Sequence, residues 1–323
     1  MVRSTKKWIW LGVLLVVVGL AMFTAVLWGQ NFDFSSLSTE RYVTNTYEIN
    51  DPWRGISIES DTADITFLLS QDGKCKVSCY EEENARHAVT VKDEVLTISV
   101  VDTREWYDHI GIHWDSPKIT VYLPQGEYGQ LEVKERTGDI RVPNGLTFSY
   151  VDISTATGGV EVAASADSVM KINTTTGDIS VTNTSVGSLY LGVSTGRISV
   201  ENVVCQGNVD VRVSTGKTVF TDVTCKELAS KGDTGDIRLE RVIMEGLCSI
   251  QRGTGNVHFA ESDALSIMVE TETGNVTGSL LNSKVFLVET DTGRVNVPKS
   301  DGDGRCYVKT DTGDITITVT ELQ

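Results

Sequence analysis

Residues 169–181 read VMKINTTTGDISV, and this stretch contains the features that determine the fold. Apolar and polar residues alternate on both sides of a central pair, Thr176-Gly177. Alternation with a period of two predicts one half-buried β-strand before the pair and another after it. The glycine marks a corner between the strands, because glycine adopts backbone conformations that other residues avoid. We interpret the stretch as a strand–corner–strand unit.

The same unit recurs along most of the chain. Ten Thr-Gly pairs form a periodic series, with successive glycines 19 or 20 residues apart. The flanking apolar positions repeat as well, with exceptions that include Thr218 and Ser230. We interpret the pairs as the structural turns of the repeat: Thr137, Gly138, Thr157, Gly158, Thr176, Gly177, Thr195, Gly196, Thr215, Gly216, Thr234, Gly235, Thr254, Gly255, Thr273, Gly274, Thr292, Gly293, Thr312 and Gly313.

A unit of two short strands cannot bury its apolar face alone, but stacked units can bury a continuous core. Parallel pairing of successive units at about 4.8 Å would produce a rod of about 45–50 Å from ten units. The fold class that we predict is therefore all-β, a parallel β-helix or β-solenoid with coils of 19–20 residues. Propeller blades would need longer units.

The chain before the repeat divides into shorter segments. Residues 56–67, ISIESDTADITF, fit the repeat with Ala63 at the glycine position. We predict a cytoplasmic tail at 1–7, a transmembrane anchor at 8–28 and a linker at 29–49. N-terminal β coils would follow at 50–125 with an inserted loop at 102–117, and regular solenoid repeats at 126–323.

The anchor is predicted from WIWLGVLLVVVGLAMFTAVLW, 21 residues without a charge from Trp8 to Trp28. As a helix this run would be about 31 Å long, enough to cross a bilayer core. Arg3, Lys6 and Lys7 precede it, which predicts a single-pass cell-membrane protein with a cytoplasmic N-terminus and an extracytoplasmic bulk. A cleaved signal peptide is the alternative.

The charge excludes one class of partner. The chain has a formal charge of −16, and without the three cations before the anchor the remainder is near −19. Such a surface repels nucleic acid, so nucleic-acid binding is excluded.

The stretch KITVYLPQGEYGQLEVKERTGDIRV (118–142), followed by recurrent Thr-Gly-Asp-Ile units behind a membrane anchor, resembles a known family. It is the membrane-anchored "putative adhesin" family of β-strand-repeat domains, and the resemblance covers roughly residues 50–323. It implies a right-handed parallel β-helix in a Gram-positive envelope. It carries no established activity or catalytic residue that could be transferred.

The function that we predict is non-enzymatic: a membrane-tethered surface β-helix protein, either an adhesin or an interaction scaffold of the cell envelope. The partner would be an unknown envelope protein or glycan. An envelope-stress sensor or regulatory accessory protein is the alternative. A polysaccharide-active enzyme is less favoured, because the acidic residues are scattered over the coils and no tryptophan follows Trp114.

No catalytic, cofactor or metal residue is assigned from the sequence. Asp or Asn often follows the corner glycine, as a calcium ladder would require, but Arg197, Lys217 and Arg294 occupy the same position in other coils. Capping of the turn is therefore the favoured role of these acids. His109 and His113 have a spacing that suits a metal only on a helix, whereas their surroundings predict a loop or strand.

Three further predictions concern contacts. The six cysteines lack zinc-type spacing, and only Cys205 and Cys225 in adjacent coils could form a disulfide. Trp106, Tyr107 and Trp114 either cover the end of the rod or form a partner patch. The sequence stops on a strand, ITITVTELQ, so self-association through a C-terminal solenoid edge is expected.

Overall fold

The computed structural model describes residues 2–29, 41–102, 116–299 and 301–320. The first element is an α-helix, α1, Val2–Gly29. Across these described ranges, no helix has the length and apolar character that membrane crossing requires.

Every other element is a β-strand, and all 24 strands form one continuous sheet. The strands before the regular coils are β1 Tyr42–Ile49, β2 Gly55–Thr62, β3 Asp64–Leu69, β4 Cys75–Glu82, β5 Ala85–Lys92, β6 Val95–Asp102 and β7 Lys118–Leu123. The strands of the coils are β8 Gly126–Thr137, β9 Ile140–Val142, β10 Leu146–Thr157, β11 Val160–Val162, β12 Ser165–Thr176, β13 Ile179–Thr195, β14 Ile198–Cys205, β15 Asn208–Thr215, β16 Thr218–Cys225, β17 Glu227–Thr234, β18 Ile237–Thr254, β19 Val257–Thr273, β20 Val276–Leu280, β21 Lys284–Thr292, β22 Val295–Asn296, β23 Gly304–Thr312 and β24 Ile315–Val319.

The coils stack in parallel with their repeats aligned. Thr157 of β10, for example, lies between Thr137 of β8 and Thr176 of β12. The apolar residues of the repeat face inward, and Ile172, Ile179 and Val181 are fully buried. The prediction of an all-β solenoid of about ten turns is confirmed.

The corner glycine is required by both conformation and space. Gly177 has a φ of 145°, in the region that residues with a side chain rarely adopt. Its amide donates to the carbonyl of Thr195 in the next coil, 3.0 Å away. A Cβ built on Gly177 would lie 2.0 Å from the carbonyl oxygen of Gly158 in the preceding coil. Each corner thus stacks so closely on the one before it that a side chain has no room.

The hydroxyl that bonds to the corner backbone is not that of the threonine next to the glycine. The threonine immediately before the glycine is exposed at the corner, as at Thr176. The threonine two positions earlier is buried instead, and Thr174 Oγ1 donates to the Gly158 carbonyl at 3.2 Å. The same bond recurs at Thr271, Thr290 and Thr310. It satisfies a corner carbonyl that the close stacking buries.

A second corner lies six residues after the glycine in five successive coils, and its residue has a φ between 49° and 53°. Asparagine and aspartate tolerate this left-handed conformation better than other side chains do. The corner residues are Asn183, Asn202, Asp222, Arg241 and Glu261.

Residues 75–102 differ from the predicted N-terminal coils. β4 pairs antiparallel with β1 and β7, and β5 pairs antiparallel with β6. β6 and β7 then pair in parallel with β2 and β3, the first regular coil. We call β1, β4, β5, β6 and β7 the N-terminal cap, because they close one end of the core. The predicted boundary between residues 125 and 126 stays a prediction.

The expectation that the last strand forms the open edge is wrong. β23 and β24 lie between the coil of β19–β20 and the coil of β21–β22. The coil of β21–β22 is therefore the outer one, although it precedes β23–β24 in the sequence. Pro298 suits this position, because a residue without an amide hydrogen is tolerated at a sheet edge. A buried ion pair also holds the order: Lys284 Nζ of the outer coil lies 2.7 Å from Asp263 Oδ1. The Lys284 side chain passes Gly304 of the intervening coil.

Candidate functional site

A polar groove runs beside the Thr-Gly corners. Two cavities of about 560 and 490 Å³ share Lys231, Gly232 and Asp233, so they form one continuous groove. It extends from Ser154 to Asp311 over eight adjacent coils, about 34 Å at the spacing of parallel strands. The solenoid therefore presents an elongated site with room for an extended ligand.

Four departures from the repeat converge on this groove. Arg252 occupies a position that faces inward and is only 4% exposed. Its guanidinium Nη2 donates to Ser230 Oγ at 2.8 Å and to Thr218 Oγ1 at 3.4 Å. A Cβ on Gly232 would lie 2.7 Å from Arg252 Nη1, so glycine leaves the space that the guanidinium needs. The exceptions at Thr218 and Ser230 thus have a common cause, a cation set into the apolar core.

The Arg252 guanidinium has only neutral acceptors. Besides the two hydroxyls, Nη1 donates to the Gln251 carbonyl at 3.1 Å, and no residue of the described ranges forms an ion pair with it. Burial lowers the pKa of Arg252 to about 10, an effect that the charge of Asp233 partly opposes. A buried cation without a countercharge is costly, and an anion in the groove would offset that cost.

Charges of both signs surround Arg252 in the groove. Lys231 and Lys309 line it together with four acids, Asp233, Glu270, Glu272 and Asp311. Arg212 lies on the coil next to Lys231. Serine, threonine and asparagine side chains line the rest, as at Ser154, Asn173 and Ser194. The groove therefore offers guanidinium and ammonium donors beside many carboxylate and hydroxyl acceptors.

The acids that follow the corner glycines serve the backbone. Asp139 Oδ1 accepts a hydrogen bond from the Gly159 amide at 2.8 Å, and Asp178 Oδ1 accepts one from Arg197 at 2.7 Å. Asp236 Oδ1 accepts from Asn256 in the same way. Each carboxylate caps the same corner of the following coil, the role that the sequence analysis favoured over a calcium ladder.

A second polar cluster is buried between the N-terminal cap and the first coils. His87 Nδ1 lies 2.8 Å from Glu81 Oε2, and His87 Nε2 lies 3.3 Å from Ser60 Oγ. The hydrogen-bonded series Ser60–His87–Glu81 has the same residue types as the Ser–His–acid triad of a serine hydrolase. Ser60 is only 6% exposed, however, and unlike Arg252 it does not line the groove, so its hydroxyl is not presented to a ligand there. Glu135 pairs with Ser60 across β2 and β8, and burial raises the pKa of Glu135 to about 7.

All six cysteines are free and buried, including the predicted pair Cys205 and Cys225. Burial, with a smaller contribution from the neighbouring Cys205, raises the pKa of the Cys225 thiol to about 12. The Cys225 thiol is therefore an inert core group at neutral pH.

The predicted partner patch of Trp106, Tyr107 and Trp114 lies outside the described residues, as do His109 and His113. The twenty Thr-Gly turn residues lie at ten corners, and the groove residues precede eight of these corners, all but Thr137-Gly138 and Thr292-Gly293. Sequence reasoning missed the groove and Arg252. The sequence did contain a signal for this site. Arg252 puts a cation at a position that faces inward, and Thr218 and Ser230 interrupt the apolar pattern of the repeat.

Solved structures with a similar fold come from several bacteria. A protein described as a putative adhesin from Parabacteroides merdae is 13% identical, with 88% of this chain and 97% of the other covered and a TM-score of 0.41. A protein described as a putative lipid binding protein from Parabacteroides distasonis is 15% identical over 82% and 96%, with a TM-score of 0.45. A protein described as a putative adhesin from Bacteroides fragilis is 14% identical over 86% and 97%, with a TM-score of 0.41.

No curated protein matches the chain. The Toastrack DUF4097 family matches residues 53–318, which include β2 to β23 and nearly all of β24. The resemblance inferred from the repeat is thereby confirmed, and the chain belongs to the Toastrack DUF4097 family.

Proposed function

We propose that the protein is a non-enzymatic, membrane-tethered adhesin or interaction scaffold of the cell envelope, and that its groove binds an extended acidic polysaccharide. The observation that carries this proposal is the buried Arg252 at the floor of a groove about 34 Å long. The protein acts by binding, and the coils are right-handed.

The ligand class follows from the two kinds of groups that line the groove. A uronate carboxylate accepts hydrogen bonds from the Arg252 guanidinium, which is the favourable geometry for this pair. Sugar hydroxyls donate to Asp233, Glu270, Glu272 and Asp311, so the acids that would repel a bare anion become acceptors. A polymer of acidic sugars carries both groups at every residue and matches the length of the site. The repulsion that the overall negative charge exerts on a polyanion is offset locally by the cations of the groove, Lys231 and Lys309 beside Arg252.

The tether and the location belong to the same proposal. Their support is the uncharged run from Trp8 to Trp28 and the exposure of apolar α1 side chains such as Leu14 and Leu15. In this arrangement α1 anchors the chain in the cell membrane with its N-terminus in the cytoplasm and the solenoid outside. We expect the full chain to sediment with membranes and resist alkaline extraction, and a chain lacking residues 1–29 to be released. Equal release of both would contradict the tether.

Titration with oligogalacturonate, against a neutral galactose oligomer of equal length, tests the groove. We expect the acidic oligomer to bind and the neutral one to bind at least tenfold more weakly, because only the acidic oligomer supplies an anion to Arg252. The exposed Ser214 lines the groove, so Ser214→Trp should block it and reduce binding at least tenfold.

Thr224→Trp is the matched control, since Thr224 is also exposed but lies on β16, away from the groove. It should bind like the unmodified chain. Equal affinity for the neutral and acidic oligomers would overturn the role of Arg252. Absence of binding to both, or equal loss in the two tryptophan variants, would overturn the groove as the binding site.

A further inference from the structure

Three potential metal ligands meet inside the N-terminal cap. Cys79 and Glu81 are two residues apart on β4, so they point to the same side of the sheet, and His87 reaches them from β5. One ligand atom from each lies within 4.8 Å of the others. Cys79 and Glu81 have no exposed surface, and His87 is 4% exposed. The cluster is therefore shielded from bulk solvent, and its ligands come from two strands.

The chemistry of the three groups selects a borderline-soft divalent metal. Thiolate, imidazole and carboxylate are all ligands of zinc, whereas calcium and magnesium prefer sites made of oxygen alone. With Cys79 and Glu81 ionised and His87 neutral, a zinc ion would bring the net charge of the buried group to zero. That balance removes the cost of burying an isolated ion.

A second layer of hydrogen bonds already orients the ligands. Asn45 Nδ2 donates to Glu81 Oε1 at 2.6 Å, which leaves Oε2 on the side of His87 Nδ1. On the other edge of the ring, His87 Nε2 lies 3.3 Å from Ser60 Oγ. Zinc-bound histidines usually donate their free ring N–H to an oxygen in this way, which fixes the tautomer and the ring orientation. Asn45 and Ser60 thus occupy the places of supporting residues.

We propose that Cys79 Sγ, Glu81 Oε2 and His87 Nδ1 bind one zinc ion, with a water molecule as the fourth ligand. On binding, the Cys79 thiol releases its proton to solvent. The proton between His87 Nδ1 and Glu81 Oε2 leaves that pair and passes through solvent to Nε2, whose N–H then donates a hydrogen bond to Ser60 Oγ. Zinc–ligand bonds of about 2.0–2.3 Å place tetrahedral ligands about 3.3–3.6 Å apart. Closing the cluster from its present size thus needs side-chain shifts of about 1 Å. The ion joins β4 to β5 and thereby stabilises the cap.

Cobalt(II) added to the full chain tests the ligand set, because a thiolate ligand gives cobalt an intense near-ultraviolet charge-transfer band. We expect this band, one equivalent of zinc that displaces the cobalt, and a higher melting temperature with zinc. Cys79→Ala should lose the band and the melting shift. Cys75→Ala is the matched control, because Cys75 is another buried cysteine of the same strand and lies outside the cluster. It should keep both signals.

Two more variants keep the proposal open to refutation if Cys79→Ala fails to fold. Glu81→Gln should retain the thiolate band but bind zinc at least tenfold more weakly, and Ser60→Ala should weaken binding about tenfold through the ring orientation. Absence of a cobalt band in the unmodified chain would overturn the proposal. So would a band that persists in Cys79→Ala, or unchanged zinc affinity in Glu81→Gln.

Discussion

The regular coils and the N-terminal cap are built on opposite principles. In the coils, each inward position repeats the residue type of the coil before it, and the buried surface is almost entirely apolar. Where the cap meets the first coils, the antiparallel strands β4 and β5 bury Glu81 and His87 near Ser60 of β2, which pairs with Glu135 of β8. In the stacked coils, each inward residue packs against the equivalent residue of the next coil, which restricts its type. The cap strands are not repeated, so their buried residues are not restricted in this way. The candidate chemistry therefore collects where the repeat ends or is interrupted, as it also is at Arg252.

The largest expected effect concerns the far end, where the coils keep their geometry but change their order. Met268, Tyr307 and Leu287 face outward on three adjacent layers, with Tyr307 in the middle. Adjacent layers are about 4.8 Å apart and alternate layers about 9.6 Å, while a disulfide needs Cα atoms about 4.4–6.8 Å apart. Oxidation should therefore cross-link the double variant Met268→Cys/Tyr307→Cys and leave Met268→Cys/Leu287→Cys unlinked, as peptide mass spectrometry would detect. The reverse result would restore the coil order that sequence alone suggests.

That coil order could not be predicted from the spacing. The gaps from Gly274 to Gly293 and Gly313 are as regular as any others, and the alternation of apolar residues is the same in both coils. The information lies in single residues: Pro298, which suits an edge, and Lys284, which must reach Asp263 past Gly304. Such contacts depend on three-dimensional neighbours, so a pattern of local repeats does not contain them.

The coils themselves were predictable because one physical requirement acts on every unit. Period-two alternation gave the strands, and the invariant glycine gave the corner. The second corner was missed because its five residues, from Asn183 to Glu261, differ in type while sharing one backbone conformation. The cap was misread because strands such as β4 and β5 alternate just as coil strands do, and alternation does not distinguish parallel from antiparallel pairing.

Within the coils, Gly177→Ala should be the most damaging single substitution. The new Cβ would collide with the Gly158 carbonyl oxygen and would also require alanine at a φ of 145°. Overpacking and backbone strain together should cost about 3–5 kcal/mol of unfolding free energy. Urea denaturation followed by circular dichroism measures this. Gly126→Ala is the control, since no atom lies near its Cβ and alanine there should change stability by less than about 1 kcal/mol. Similar costs for both would contradict the stacking argument.

Next to the cap, Glu135 of β8 should make stability depend on pH. Its folded-state pKa is raised to about 7 from 4.5, chiefly by burial, so the folded protein holds this proton more tightly than the unfolded chain. The contribution of Glu135 to the free energy of unfolding is therefore complete below pH 4.5, and it is lost as the pH rises through about 7. The loss should be on the order of 3 kcal/mol.

Glu135→Gln should remove this part of the pH dependence, because glutamine retains the shape without the ionisation. Denaturant unfolding from pH 4 to pH 8, with a chelator present, would compare the two chains. Glu132→Gln is a control on the same strand, at an outward-facing position that forms an ion pair with Lys134. An unchanged pH profile in Glu135→Gln would show that Glu135 does not bind a proton on folding.

The smallest effect concerns the second corner, where the repeat fixes the backbone but not the residue. Glu261 has a φ of 49°, a conformation that asparagine adopts with less strain. Glu261→Asn should therefore stabilise the solenoid by about 0.5–1 kcal/mol, a shift that a urea midpoint resolves. Glu261→Gln is the matched control: it removes the same charge but has no preference for the left-handed region, so it should leave the midpoint unchanged. Equal stabilisation by both substitutions would assign the gain to charge removal. In that case the left-handed corner would not limit which residue the coil accepts.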